Sequence, residues 1–135
     1  NNIFHLRFNS MRRVTIINKT RFAAPIDALY CESFMCQLRG LTFRRSLSPQ
    51  EGLLLVQKQD SRIEAAIHML FMWMDLAVVW INHTGRVVDV RLARRWRSFY
   101  VPKLPARYIL EAHIDRIHDF QVGDQIEISS DQDGK

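Results

Sequence analysis

Seventeen residues, Ala65 to Ile81, are apolar at every position except His68 and Asp75. Such a run leaves two choices: a membrane span, or the buried centre of a domain. A helix across the hydrocarbon core needs about 20 apolar residues. This run is shorter, and Asp75 lies near its middle, where a carboxylate costs on the order of 3 kcal/mol. Its second half, Leu76 to Ile81, is rich in β-branched and aromatic residues. A polar turn, Asn82-His83-Thr84-Gly85, follows, and then Arg86 to Leu92, where Val88, Val90 and Leu92 alternate with Asp89 and Arg91. Period-two alternation after a short Gly-containing turn marks a hairpin. The run therefore reads as two buried strands with a bend near Trp73–Asp75, not as a membrane anchor.

The flanking segments also read mainly as strands. Val14–Ile17, Leu53–Val56, Tyr108–His113 and Gln125–Ile128 are short apolar stretches, with Asn18-Lys19-Thr20 and His118–Gly123 as turns. Ala28 to Gly40 reads as a helix, because Tyr30, Phe34 and Leu38 recur at i, i+4 and Gly40 suits a C-terminal stop. Gln57 to Arg62 reads as a polar loop. Pro102 and Pro105 exclude a helix interior or central strand at that place. These elements predict a mainly β fold, a compact single-domain sandwich or barrel with one or two short helices. At 135 residues one domain is expected. Residues 13–128 form it, 1–12 precede it as an extension, and 129–135 trail as a polar tail. Met11 resembles a natural start, and no secretory signal is visible.

The two cysteines, Cys31 and Cys36, have neither redox nor zinc-site spacing. They read as free thiols of a reducing compartment, with a local disulfide or redox pair as the alternative. The cytoplasm is the expected location. Residues 1–110 carry 17 Lys and Arg against 7 Asp and Glu, whereas residues 111–135 carry 2 against 7. A basic, arginine-rich body suits an anionic partner, and equally a solvated surface.

Four groups in order carry a resemblance. They are Gly40-Leu41-Thr42-Phe43-Arg44-Arg45-Ser46-Leu47, then Glu51-Gly52-Leu53-Leu54-Leu55, then the central apolar segment through Asp75 and Val78–Val88, and finally Pro105-Ala106-Arg107-Tyr108-Ile109-Leu110-Glu111 with Gly123-Asp124. The set resembles the uncharacterised domain of unknown function 192 family over about Arg13 to Ile128. Two departures stand out. Trp73-Met74-Asp75 replaces the family's Pro-Leu-Asp, and its Trp-Met-Lys-Asn-Thr stretch falls on Ala66–Leu70 with no residue kept, His68 standing where Lys is usual. The resemblance implies a compact mainly β domain and no activity.

Three groups are candidates for chemistry. His68 and Asp75, with Glu111 from another strand, would form an acid–base or metal cluster if the chain brought them together. The structural alternative is that Asp75 caps a bend and His68 satisfies a backbone group. Arg44 and Arg45 would bind an anion, or else tie loops to Glu51 or Glu111. Arg91, Arg94, Arg95, Trp96, Arg97, Phe99 and Tyr100 interleave charge with rings, as single-stranded nucleic acid or another polyanion requires. The alternative is a strand with Trp96 and Tyr100 in the core. No catalytic or nucleotide motif is present, and no cofactor or metal is expected. The sequence thus points to a non-enzymatic domain binding a small ligand or protein. Next come a nucleic-acid or polyanion module and an enzyme using His68, Asp75 and Glu111. Oligomeric state is not legible.

Overall fold

A computed structural model describes residues 12–33, 36, 46–69, 72–97 and 99–130. Among them the chain forms seven strands: β1 (Arg13–Asn18), β2 (Ile26–Cys31), β3 (Glu51–Ser61), β4 (Leu76–Ile81), β5 (Val87–Ala93), β6 (Ala106–His113) and β7 (Ile126–Ser130). A 3-10 helix, Ile114–Asp119, follows β6. The strands make one sheet in the order β5-β4-β6-β3-β2-β1-β7. Pairing is antiparallel throughout except between β2 and β3. A parallel pair needs a long crossover, and residues 32–50 supply it.

Both faces of the sheet are covered, for different reasons. One core takes side chains from every strand, including Val14 and Ile16, Ile26 and Ala28, Leu54, Val79, Val87, Leu110 and Ile126. The sheet therefore coils around this core. The opposite face of β2, β3, β6 and β4 presents Leu53, Leu55, Val78, Trp80 and Ile109, and the connections cover it with Ala65, Ile67, Met69, Met72 and Tyr100. Successive strand residues serve opposite cores. This explains why Leu53–Val56 and all of β4 are buried runs without alternation.

The coil does not close into a barrel. The edge strands β5 and β7 meet only where they begin, at a bridge between Arg86 and Gln125. There the Ile126 N–H donates to the Gly85 carbonyl at 2.7 Å and the Val87 N–H to the Asp124 carbonyl at 2.9 Å.

Several expectations need correction. Among the described residues only the second half of the apolar run is a strand. In its first half Ile67 makes a lone bridge to Tyr100, and the Met69 N–H donates to the Arg97 carbonyl at 3.1 Å. That half lies on the sheet rather than in it, so both halves are apolar although only one is paired. Ala28–Cys31 is strand, not helix, because β1 and β3 flank β2 on both sides. Cys36 is helical, and Ser33 Oγ accepts its N–H at 3.1 Å, as an N-cap side chain does. Phe34, Leu38 and Gly40 lie outside the described residues.

Gln57–Ser61 continues β3 instead of looping. Its outer residues, Lys58 and Gln59, face solvent while pairing to β6 resumes at Ser61 opposite Ala106. Ser129 and Ser130 belong to β7, opposite Thr15 and Val14, so the strand runs two residues further than its apolar part. Cys31 and Cys36 are joined in a disulfide with Cα atoms 5.6 Å apart, contrary to the expectation of free thiols. Five residues of separation give no recognisable motif, yet the turn out of β2 brings the two together. No helix of the described residues is long and apolar enough to cross a membrane.

Candidate ligand-binding surface

The chain leaves β5 at Ala93 and makes a tight loop instead of the expected strand. Three successive amides are pinned there. The Arg94 N–H donates to the Tyr100 hydroxyl at 2.9 Å, the Arg95 N–H to Asp75 Oδ1 at 2.8 Å, and the Trp96 N–H to the Met69 carbonyl at 2.8 Å. Trp96 is held at φ +66°, the left-handed region that a bulky residue rarely occupies. The outcome is a rigid backbone whose side chains point outward. Arg94, Arg95, Arg97 and Phe99 are exposed. Trp96 is 46% exposed and stands edge-to-face against Trp73, itself 43% exposed, with ring centres 5.4 Å apart and planes at 89°.

Two neighbours have other duties. Tyr100 is buried, and its backbone pairs with Ile67 through two 2.9 Å hydrogen bonds. Arg91 lies 3.0 Å from the buried Asp89 carboxylate and over the Trp80 ring. Of the expected aromatic pair, then, Tyr100 is core and Trp96 is surface. Among the described residues no carboxylate forms an ion pair with Arg94, Arg95 or Arg97.

The His68, Asp75 and Glu111 cluster does not assemble: no hydrogen bond or ion pair joins any two of them. Asp75 does cap a bend, through Arg95. His68 is half-buried between core residues Ile67 and Met69, and its buried Nδ1 has no partner among the described residues. Glu111 is buried on β6, opposite Leu53 of β3 and Val78 of β4. Burial among these apolar neighbours raises its carboxyl to about 7. His113, two residues on, uses Nδ1 to accept the Asp115 N–H at 3.0 Å. Among the described residues no three His, Cys, Asp or Glu side chains are placed to hold a metal. Arg44 and Arg45 lie outside the described residues.

Sequence reasoning missed three residues. Trp73 looked like core because it sits inside the apolar run; its only signal was the adjoining bend at Asp75. Asp89 looked like the solvated side of a hairpin strand, yet it is buried and accepts the Lys103 N–H at 3.0 Å. Asp124 is also buried, taking the Arg21 guanidinium at 2.6 Å and Asn18 Nδ2 at 2.8 Å. Those contacts, the Arg21 bond foremost, lower its carboxyl to about 2.

The class these features define is a small mainly β module, one coiled open sheet carrying an exposed arginine–tryptophan loop. The chain belongs to the DUF192 family, described as an uncharacterized ACR, whose model matches residues 14–128. A UPF0127 protein of Thermococcus gammatolerans is 38% identical over 97 residues, 70% of this chain and 61% of that protein. A UPF0127 protein of Pyrococcus furiosus is 36% identical over 104 residues, 76% of this chain and 86% of that one. Two crystal structures share the fold at a TM-score of 0.75. One, from Sinorhizobium meliloti, is provisionally described as a transcription regulator; it is 18% identical, with 88% of this chain and 94% of that one covered. The other, of unknown function, is from Novosphingobium aromaticivorans; it is 19% identical, with 85% and 83% covered. At those identities the likeness is one of fold alone.

Proposed function

We propose that this chain is a non-catalytic binding domain whose binding face is the layer formed by residues 62–69, 72–75, 94–97 and 99–104, and that its partner is anionic. One observation carries the reading. Three arginines and a tryptophan are presented outward by a loop in which the Arg94, Arg95 and Trp96 amides are each anchored, at the cost of a left-handed Trp96. Strain of this kind persists only where the surroundings enforce it, and it concentrates at functional sites. The same layer holds most of the exposed large apolar side chains among the described residues: Ile63, Trp73, Trp96, Phe99, Val101 and Leu104. Apolar surface rimmed by cations that form no ion pair among the described residues is the composition of an interaction site. Asp75, bound to Arg95, serves this loop rather than a catalytic cluster.

The cytoplasmic location expected from the sequence rested partly on free thiols. The Cys31–Cys36 bond removes that support, because disulfides persist mainly in oxidising compartments.

The test is binding to a sulfated polysaccharide and to an oligonucleotide across a salt series. Affinity should fall as salt rises, and Arg94→Ala, Arg95→Ala and Arg97→Ala combined should abolish it while leaving the melting temperature in place. Absence of binding to any polyanion at low salt overturns the reading.

A further inference from the structure

We propose that the outer side of this layer docks on a lipid bilayer carrying anionic headgroups, with Ile63, Phe99, Val101 and Leu104 dipping below the headgroups and the surrounding cations meeting the lipid phosphates. This rests on the reading of the same layer as the binding face for an anionic partner, and it names that partner. Four observations carry it.

The first is the division of the layer into two sides. Ala65, Ile67, Met69, Met72 and Tyr100 fill the core against the sheet. Ile63, Phe99, Val101 and Leu104 belong to the same segments but stay out of it, Ile63 being 86% and Phe99 67% exposed. An apolar side chain left that open contributes little to folding. Single ones are ordinary on a surface, whereas several on one layer mark a site of contact.

The second is rigidity. The two segments run side by side, joined by the Ile67–Tyr100 bridge and by Arg62 Nε, which donates to the Pro102 carbonyl at 3.1 Å. The Lys103 N–H donates to the buried Asp89 carboxylate at 3.0 Å. Pro102 and Pro105 fix two further φ angles. The apolar tips are therefore held in place, and little ordering entropy opposes docking.

The third is charge complementarity. Arg62, Arg94, Arg95, Arg97 and Lys103 are exposed on this layer and form no ion pair among the described residues. Against them stand only Glu64 and Asp75, the latter held on the Arg95 amide. Each cation beside an anionic bilayer strengthens binding by about fivefold. The fourth is the kind of apolar side chain. Ile63, Val101 and Leu104 are branched aliphatics. Nucleic acids are read by flat rings and cations, and neither they nor sulfated sugars offer an apolar volume for such chains to enter. An acidic protein would need a fitted pocket for each tip. A bilayer interior takes apolar tips without shape matching, while long arginine stems keep their heads at headgroup level.

Four probes test this: vesicles of phosphatidylcholine with about 30% phosphatidylglycerol, vesicles of phosphatidylcholine alone, an oligonucleotide, and a sulfated polysaccharide. In co-sedimentation the natural protein should bind the anionic vesicles at least about tenfold more tightly than the neutral ones. Added salt should weaken that binding. Ile63→Ser and Phe99→Ser combined should lose at least about tenfold on the anionic vesicles and leave polysaccharide binding as it was. Arg94→Ala, Arg95→Ala and Arg97→Ala combined should lose about a hundredfold on the same vesicles. All five side chains are exposed, so the melting temperature should hold in both variants.

The comparison of anionic with neutral vesicles uses the unaltered protein and does not depend on any variant folding. Binding to the oligonucleotide or the polysaccharide with none to vesicles overturns the lipid surface and leaves the anionic face standing. Vesicle binding unchanged by the Ile63 and Phe99 substitutions overturns it as well, because charge alone would then account for the attachment. Self-association through the same apolar side chains, without vesicle binding, overturns it in favour of a second copy of this chain. No binding to any of the four at low salt overturns both readings.

Discussion

Glu111 is the one candidate residue whose chemistry is set by burial alone. Its cross-strand neighbours are Leu53 and Val78, and no cation faces it among the described residues. A carboxyl there keeps its proton, rising from 4.5 to about 7. The sign of the consequence follows from linkage. Below pH 4.5 both the folded and unfolded forms carry the proton. Between 4.5 and about 7 the unfolded chain loses it while the folded one keeps it, so stability falls as pH rises. The loss levels off above about pH 7, at on the order of 3 kcal/mol. Glu111→Gln keeps the shape and polarity but cannot ionise. Melting curves from about pH 4 to pH 8 should show the natural protein losing stability across this window relative to the Gln variant. Identical profiles for the two would mean that this carboxyl ionises as freely folded as unfolded.

At the scale of the element, the loop after β5 shows what could and could not be read in advance. The β4–β5 hairpin was legible because its turn chemistry and the alternation beside it agree. The loop was not. A strand through Arg94–Tyr100 would place Trp96 and Tyr100 on one face, and nothing in the spacing separates a core ring from a surface ring. What separates them is the left-handed Trp96 and the amide anchors, two of which, Asp75 and Met69, lie in a distant segment of the chain. The same logic explains the other misreadings. β2 was mistaken for a helix because i, i+4 apolar spacing is local, whereas its pairing with β1 and β3 is not. Residues 65–69 were mistaken for a strand because apolar composition reports burial and not pairing. Two substitutions test the anchoring. Asp75→Ala removes the acceptor for the Arg95 amide and should cost about 1 kcal/mol while weakening polyanion binding more than that loss of stability explains. Trp96→Gly should relieve about 1 kcal/mol of left-handed strain, so the melting temperature should hold or rise while binding is lost. If Trp96→Gly kept full binding, the ring would have no part in the surface.

For the whole molecule, the open question is how a coiled sheet stays coiled without closing. The seam between β5 and β7 answers it at one end only. The hairpin turn at Gly85 docks on Ile126, Val87 pairs with Gly123 and Asp124, and Arg86 reaches the Gly123 carbonyl at 3.0 Å. Behind them the buried Asp124 carboxylate gathers Arg21, Asn18 and the Gln121 amide, which fixes the turn to the end of β1. Its lowered carboxyl makes this clamp an acid-sensitive one. The stabilisation is whole above pH 3.8 and is lost as pH falls toward about 2. The two glycines of the seam separate docking from backbone conformation. Both have left-handed φ, +85° at Gly85 and +96° at Gly123, so alanine costs about 1–2 kcal/mol at either from conformation alone. At Gly123 an added Cβ would meet nothing within 4 Å. At Gly85 it would lie 2.6 Å from the Ile126 carbonyl oxygen and 2.7 Å from Gln125 Nε2, and the backbone atom cannot swing aside. Gly85→Ala must therefore part the two sheet edges or strain the hairpin. Chemical denaturation should show Gly123→Ala losing only the conformational cost and Gly85→Ala about twice as much. Amide exchange should also speed up at Ile126 and Val87 in the Gly85 variant alone. Equal losses for the two variants would mean that the hairpin turn does not hold the seam, and that the inner core keeps the sheet coiled without it.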